Sequence, residues 1–317
     1  MDGPGTPPHS AAMPAPPIAR RPHLDATATA VLVFLTSLWG LQQVSVKMTI
    51  QEGLSPSLQA ALRSLGAAVC VFAWIAITEG RPAVRALVAR RTLLPGLGVA
   101  VVFALEFIVL FRGLQLTTAS RGVVFLHSAP FFVALGLHLL VPGERMRPVQ
   151  FAGLVIAFLG MGAAFAESLL AGGGSLEGDL LCLLGGAMWA TTTLCVRASP
   201  TLSTAAPATI LWLQLAGSTP ILFAAAWWQG EIPPFPAVSP LGWLGLFYQT
   251  VIIAFASYLM WFRMILTYPA GRVSGFTFLS PLFGILFGWA LMSDALSWGL
   301  LVGVLAIVAG MRMVNTR

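Results

Sequence analysis

Four polar side chains lie inside long apolar stretches of this sequence, and their types could handle a charged solute or a proton. They are Gln43, Arg63, Glu106 and His127. A charge in an apolar medium is costly, so it is usually paired or functional. A histidine can gain or lose a proton near neutral pH. Two interpretations stay open: an ion pair between Arg63 and Glu106 that ties two helices together, or a site for protonation or for a charged group of a solute.

The four residues are expected at one depth. Arg63 lies seven residues into the apolar segment 56–78, and Glu106 lies six residues before Arg112, at the end of another segment. At the helical rise of about 1.5 Å per residue, both lie roughly 10 Å below the same surface. His127 reaches a similar depth in the following segment. The spacing therefore predicts one cluster of polar groups.

A second set of residues predicts a surface for a flat or amphipathic organic solute, which aromatic rings with a few amides and hydroxyls suit. Trp39 and Trp189 occupy equivalent mid-segment positions, and a polar side chain follows each of them three residues later. Packing against other helices, or a place at the lipid interface, is the competing explanation for any single ring. The predicted solute contacts are Trp39, Gln42, Gln43, Glu106, His127, His138, Trp189, Thr192, Tyr248, Gln249, Tyr258 and Phe278.

Two prolines, Pro130 and Pro281, lie in the middle of apolar segments at equivalent positions. Proline has no backbone N–H and leaves the carbonyl one turn earlier without a partner, so it allows a helix to bend. We therefore expect Pro130 and Pro281 to act as hinges.

The elements that must position these residues are helices in a membrane. Of the 317 residues, 57% are hydrophobic and only 9% are charged, whereas a soluble domain needs about 25% charged residues. Residues 1–26 predict a proline-rich, disordered tail. Beyond it, apolar segments approach the ~20 residues of a bilayer crossing, and each must be helical to pair its backbone in lipid. The ten segments are 28–47, 56–78, 92–112, 119–141, 149–168, 178–197, 205–228, 240–262, 270–292 and 297–315.

The sequence also contains an internal duplication. In-register matches at an offset of 150 or 151 pair Trp39 with Trp189, Arg112 with Arg263, Pro130 with Pro281, Gly153 with Gly303 and Gly160 with Gly310. The two copies, 27–169 and 170–317, each hold five segments, so the second must be inverted relative to the first. The glycines predict close packing of helices, either between the two halves or between protomers. The predicted fold is an all-α polytopic membrane protein of ten transmembrane helices in two inverted five-helix repeats.

Basic residues predict the orientation of these helices. With a cytoplasmic N-terminus, thirteen of the seventeen Lys and Arg residues fall in inside segments and three fall outside. The outside three are Lys47, Arg112 and Arg121, while the predicted outer loops hold acids that include Asp179 and Asp294. The imbalance predicts that both termini are cytoplasmic.

Several other classes of function have no support in the sequence. The three cysteines have no metal-ligand spacing, and no phosphate-binding loop or hydrolase motif occurs. We therefore expect no metal, no cofactor and no use of ATP. The net charge of +6 reports membrane orientation more simply than it reports binding to nucleic acid.

Two runs, LTTASRGVVFLHSAPFFVAL and LTYPAGRVSGFTFLSPLFGIL, join a turn rich in Thr, Ala and Ser to a proline-containing span. Over residues 28–315 this pattern resembles the EamA family of the drug/metabolite transporter superfamily. The resemblance implies a secondary transporter whose central cavity is lined by spans 1, 3, 4, 6, 8 and 9. It leaves the solute open, since relatives export amino acids, nucleobases, other metabolites and toxic compounds.

These observations together predict a secondary-active exporter of small organic metabolites, either amino acids or similar amphipathic solutes, that works by alternating access. Export and a place in a bacterial inner membrane rest on the resemblance alone, and both a monomer and a homodimer stay open. One alternative is a membrane-embedded enzyme, which is disfavoured because no paired carboxylates or metal-binding residues occur in the spans. Another is a nontransporting receptor, which would not need inverted halves.

Overall fold

The computed structural model describes residues 24–140, 147–171, 175–232, 237–268, 273, 276–296 and 298–314. Within these ranges the chain is helical and has no strand. A π-helical stretch, Tyr248–Ser257, joins α10 to α11, and a 3₁₀ turn, Phe276–Phe278, precedes α12. The helices are α1 Ala26–Gln51, α2 Pro56–Thr78, α3 Gly80–Leu87, α4 Arg90–Leu116, α5 Ala119–Leu126, α6 Ala129–Leu140, α7 Pro148–Ala171, α8 Leu176–Ala198, α9 Pro207–Trp228, α10 Pro240–Phe247, α11 Tyr258–Thr267, α12 Leu279–Met292 and α13 Trp298–Val314.

Six of the described helices are long and apolar enough to cross a membrane. They are α1, α2, α4, α8, α9 and the continuous stretch Pro240–Met264, and they match six of the ten predicted segments. Shorter apolar helical stretches occur at Pro148–Gly160, Leu279–Met292 and Trp298–Gly310. The multi-pass helical fold is thus confirmed, and the count of ten crossings stays a prediction.

Short polar side chains start several helices, and two of these caps are related by the duplication. Asp25 accepts a hydrogen bond from the Ala28 N–H at 2.7 Å at the start of α1. Ser175, which lies 150 positions later, accepts one from the Gly178 N–H at 3.2 Å at the start of α8. Such a side chain binds one of the N–H groups that the first helical turn leaves without a partner. Equivalent helices of the two copies therefore begin in the same way.

The fourth predicted segment is broken in two. α5 ends at Leu126, and α6 begins at Ala129. Pro130 is therefore the second residue of a new helix and does not kink a continuous one, and Pro281 is likewise the third residue of α12. A proline in the first turn removes an N–H that would have no partner inside the helix. The expected mid-helix geometry is wrong, while the role of both prolines as hinges stays a prediction.

A glycine lets α8 approach this break closely. A Cβ added at Gly186 would lie 2.9 Å from the carbonyl oxygen of Leu126 and 3.0 Å from that of Phe125. Both distances are shorter than normal contacts, so a side chain at this position would push α8 away from the break.

Equivalent helices of the two copies pack antiparallel. Gln229, just after α9, donates a hydrogen bond from Nε2 to Ser57 Oγ at 3.0 Å, so the end of α9 meets the start of α2. The paired glycines cross between α7 and α13. A Cβ at Gly160 would lie 2.7 Å from Gly303 O, and one at Gly310 would collide with Gly153 O. The glycine contacts therefore lie between the two halves of the chain, as one of the two expectations had it.

Candidate functional site

Arg63 is a buried cation without a hydrogen-bond partner. It lies on α2 with 1% of its surface exposed, and its Nε and Nη1 atoms are buried and make no hydrogen bond. The guanidinium carbon lies 4.3 Å from the centre of the Phe107 ring. A cation over an aromatic face is attracted by the ring, but this contact satisfies none of its N–H groups. The donors of Arg63 are therefore free to bind another group.

Glu106 is the matching buried anion. It lies on α4, 5% exposed, and its Oε2 atom is buried without a partner. Arg63 and Glu106 attract each other electrostatically, and each of them also interacts electrostatically with Tyr258. The predicted ion pair is nevertheless not formed by contact, since no salt bridge joins the two side chains. The guanidinium lies instead over the ring of Phe107, the residue that follows Glu106.

Aromatic side chains from α1 and α11 stand beside these two charges. The Trp39 ring lies 4.9 Å from that of Trp261 and 6.0 Å from that of Tyr258, measured between centroids. Trp39 Nε1 donates a hydrogen bond to Ser257 Oγ at 2.9 Å. Since its one donor is occupied, Trp39 can offer a solute only its ring. α1, α2, α4 and α11 thus bring predicted residues together around Arg63 and Glu106.

Two more predicted residues, Gln43 and Thr192, are buried and keep an unused polar atom. Gln43 lies one turn after Trp39 on α1, and its Oε1 has no partner. On α8 the same holds for Oγ1 of Thr192. Buried side-chain polar atoms are normally hydrogen-bonded, so these two exceptions call for an explanation.

The predicted pair Trp189 and His127 meets at the break between α5 and α6. Their ring centroids lie 6.0 Å apart in an edge-to-face arrangement. His127 Nδ1 is 2.9 Å from the carbonyl oxygen of Val123, which lies one turn earlier in α5. His127 therefore contacts backbone and an aromatic ring, and no hydrogen bond or salt bridge joins it to Arg63 or Glu106.

The remaining predicted contacts differ in what surrounds them. Gln249 is fully buried and satisfied: its Oε1 accepts from Gln59 Nε2 at 3.1 Å, and its Nε2 donates to Ser45 Oγ at 3.4 Å. Tyr248 donates its hydroxyl proton to Leu38 O at 2.7 Å. These two side chains tie the π-helical stretch to α1 and α2. Of the other three, Gln42 is buried on α1, His138 is half-buried on α6, and the side chain of Phe278 lies outside the described residues.

The structure adds a charged contact that the sequence reasoning missed. Asp179, fully buried at the start of α8, binds Arg121 of α5, with 2.6 Å between Nη2 and Oδ2 and 3.0 Å between Nε and Oδ2. Thr117 donates its hydroxyl proton to the same carboxylate at 2.6 Å. The Ser120 N–H, in the first turn of α5, donates to Asp294 Oδ2 at 2.9 Å. We call Thr117, Arg121 and Asp179 the clamp, because they join residues from the two copies of the duplication.

The missed signal was the exception to the charge pattern. The charge pattern places Arg121 and Asp179 at the outer ends of their segments. The inversion of the second copy already accounts for a basic residue on the outer side, so the pattern alone gives no reason to pair Arg121 with an acid. Two opposite charges at the same end of neighbouring helices could also have predicted a pair. Among the described residues, no group of three or more His, Cys, Asp or Glu side chains could hold a metal ion.

Comparison with known protein families identifies the family of this chain. The model of the EamA-like transporter family matches the chain twice, at residues 27–165 and 176–316. The chain belongs to the EamA-like transporter family. It is therefore a multi-pass membrane protein of a transporter family, and the two matches lie in the two copies seen in the sequence.

Individual relatives agree with this assignment. An uncharacterized transporter of Bacillus subtilis (strain 168), YvbV, is 28% identical over 93% of this chain and 93% of its own. A probable amino-acid metabolite efflux pump of Salmonella typhimurium is 25% identical over 86% of this chain and 90% of its own. One solved crystal structure aligns with a TM-score of 0.61 over 91% of this chain and 97% of that chain, at 18% identity. At that identity the last match supports the fold alone.

Proposed function

We propose that this EamA-family protein is a secondary-active exporter of small organic metabolites, amino acids or similar amphipathic solutes, and that it works by alternating access. The observation that carries the proposal is the pair of buried, unsatisfied charges, Arg63 and Glu106, beside Trp39 and Tyr258. Charged side chains inside the membrane-spanning part of a protein are typical of solute and ion pathways, and these two have no hydrogen-bond partner in the fold. Relatives from Salmonella typhimurium and Escherichia coli are named probable amino-acid metabolite efflux pumps, which supports this solute class.

The antiparallel packing of equivalent helices supports the rest of the proposal. The end of α9 meets the start of α2, and the paired glycines of α7 and α13 cross in opposite directions. Inverted repeats give a carrier two nearly equivalent conformations, which open a central site to one side and then to the other. We infer ten crossings, with halves at 27–169 and 170–317 and with both termini in the cytoplasm of a cell with an inner membrane. Labelling of a cysteine at Arg85 from outside intact cells would contradict this orientation.

The proposed function is tested by solute flux. Purified protein in liposomes preloaded with unlabelled solute should accumulate radiolabelled solute from outside by exchange. The panel is L-leucine, L-phenylalanine, L-cysteine, uracil and choline, and protein-free liposomes give the background. Exchange of at least one amino acid above that background is expected. A correctly folded protein that exchanges none of the five would contradict the proposal.

The hinge prediction uses the same assay. Pro130→Ala and Pro281→Ala should each reduce exchange several-fold without reducing the yield of folded protein, because alanine allows the break before α6, or the 3₁₀ turn before α12, to become continuous α-helix. Pro220 is the matched control, since it lies inside α9 and is exposed. Pro220→Ala should keep wild-type exchange. Wild-type exchange in both hinge variants would exclude Pro130 and Pro281 from the mechanism.

A further inference from the structure

We propose that Arg63 and Glu106 are the two poles of a binding site for a zwitterion with an apolar side chain. The carboxylate of the solute would bind the guanidinium of Arg63, and its ammonium would bind the carboxylate of Glu106. The apolar side chain would lie against Trp39, Phe107 and Tyr258. This inference rests on the proposed function and narrows its solute to molecules that carry both a free carboxylate and a free amine.

The first argument is the unused hydrogen-bonding capacity. Nε and Nη1 of Arg63 and Oε2 of Glu106 are buried and have no partner. A charged group left in that state is destabilising, and proteins usually pair it. The same fold does pair another buried charge, since Arg121 binds both carboxylate oxygens of Asp179, with Nε at 3.1 Å from Oδ1 and Nη2 at 2.6 Å from Oδ2. The atoms of Arg63 and Glu106 are therefore available to a ligand.

The second argument is the separation of the two charges. Phe107 holds the guanidinium over its ring, with 4.3 Å from the carbon to the ring centre, while Glu106 precedes it on the same helix. The two charges interact electrostatically without touching. A ligand with one charge would satisfy one pole and leave the other unpaired. A zwitterion satisfies both, and the filled site carries no net charge.

The third argument is the chemistry of each charged group and of the aromatic side chains beside them. A guanidinium presents a planar fork of N–H donors that matches a carboxylate, and a carboxylate is the natural partner of an ammonium. Trp39 offers an apolar ring face, because its Nε1 is occupied by Ser257. Both charges are 5% exposed or less, so the solute must enter when the protein opens. The rings of Trp39, Phe107 and Tyr258 favour an apolar side chain, and the two charges favour the ammonium and carboxylate of an amino acid.

The test compares three forms of one solute. L-Phenylalanine carries both charges, its methyl ester carries only the ammonium, and N-acetyl-L-phenylalanine carries only the carboxylate. A leucine series repeats the test with an aliphatic side chain. Binding is measured as the thermal stabilisation of purified protein and as inhibition of exchange in liposomes. Wild type should bind at least one of the two amino acids at least tenfold more tightly than either of its derivatives, because a site built for a polar group rejects an analogue that lacks it.

Two variants should shift this preference in opposite directions. With Glu106→Gln the site keeps only its cation, so the N-acetyl derivative should bind at least as well as the free amino acid. With Arg63→Gln the site keeps only its anion, so the methyl ester should bind at least as well. The matched controls are Arg263→Gln and Glu177→Gln, because both side chains are exposed. The controls should keep the wild-type order of the three ligands.

The results that overturn the proposal are specific to it. Variants that weaken all three ligands equally would show that Arg63 and Glu106 act on structure or on a proton, and the proposed exporter would stand. Wild-type protein that binds the ester or the N-acetyl form as tightly as the free amino acid also overturns it, even if both variants fail to fold. Wild-type protein that exchanges uracil or choline but no amino acid overturns it as well. Failure of the proposed function is a separate outcome, namely no exchange of any panel solute.

Discussion

Replacing Asp179 by asparagine should lower the free energy of unfolding by roughly 3–5 kcal/mol, because it removes the buried carboxylate that binds the Arg121 guanidinium. Asp179 is fully buried and Arg121 is 7% exposed, so water cannot take the place of the lost partner. The carboxylate also accepts the Thr117 hydroxyl at 2.6 Å. The measurement is chemical unfolding of purified protein in detergent micelles, together with the fraction that elutes as a single species.

Glu177 is the matched control for this change. It lies in the same first turn of α8 but is exposed. Glu177→Gln removes one favourable charge from the helix N-terminus, which is worth about 0.3–1 kcal/mol. The double variant Arg121→Gln with Asp179→Asn should recover much of the loss, since it removes both members of the ion pair. If Asp179→Asn is no more destabilising than Glu177→Gln, the clamp does not stabilise the fold.

Helix positions were the most predictable part of this fold. The segment 56–78 coincides with α2, and 205–228 differs from α9 by two residues at its start. A bilayer crossing requires about 20 apolar residues in a row, so hydropathy alone locates such helices. The break at residues 127–128 was not predicted, because an apolar run has the same composition whether or not its backbone hydrogen bonds continue. The π-helical stretch at Tyr248–Ser257 was missed for the same reason.

The candidate site was only partly predictable, for a different reason. Depth along a helix follows from residue counting, and it placed Arg63 and Glu106 at one level. Whether two side chains touch depends on the rotation of each helix and on the rotamers, which the count does not contain. Arg63 contacts Phe107 and forms no direct ion pair with Glu106, although the two charges attract each other. In the clamp, by contrast, Arg121 does contact Asp179, and both residues lie at the ends of predicted segments.

The two pairs of charges should therefore respond to mutation with opposite signs. Removing both charges of the central pair, by Arg63→Gln with Glu106→Gln, should stabilise the protein, because a buried amide without a partner costs less free energy than a buried ion without one. The single change Arg63→Gln should be less stable than the double variant, since it removes the cation that attracts Glu106. Chemical unfolding in micelles measures both, with the exposed Arg263→Gln as the control for loss of a positive charge.

The rate of amino-acid exchange by the Arg63→Gln, Glu106→Gln double variant should fall, although its stability rises. Each buried charge that binds an ionic group of the solute contributes about 2–5 kcal/mol, and every 1.4 kcal/mol corresponds to a factor of ten. The double variant should therefore exchange amino acids at least about 100-fold more slowly than wild type, although it is the more stable protein. Such a trade of stability for activity is expected where unsatisfied groups are kept for a ligand. If the two charges serve only to hold α2 and α4 together, the double variant should exchange amino acids at the wild-type rate. Amino-acid exchange by the stable double variant, measured in liposomes against Arg263→Gln, decides between the two roles.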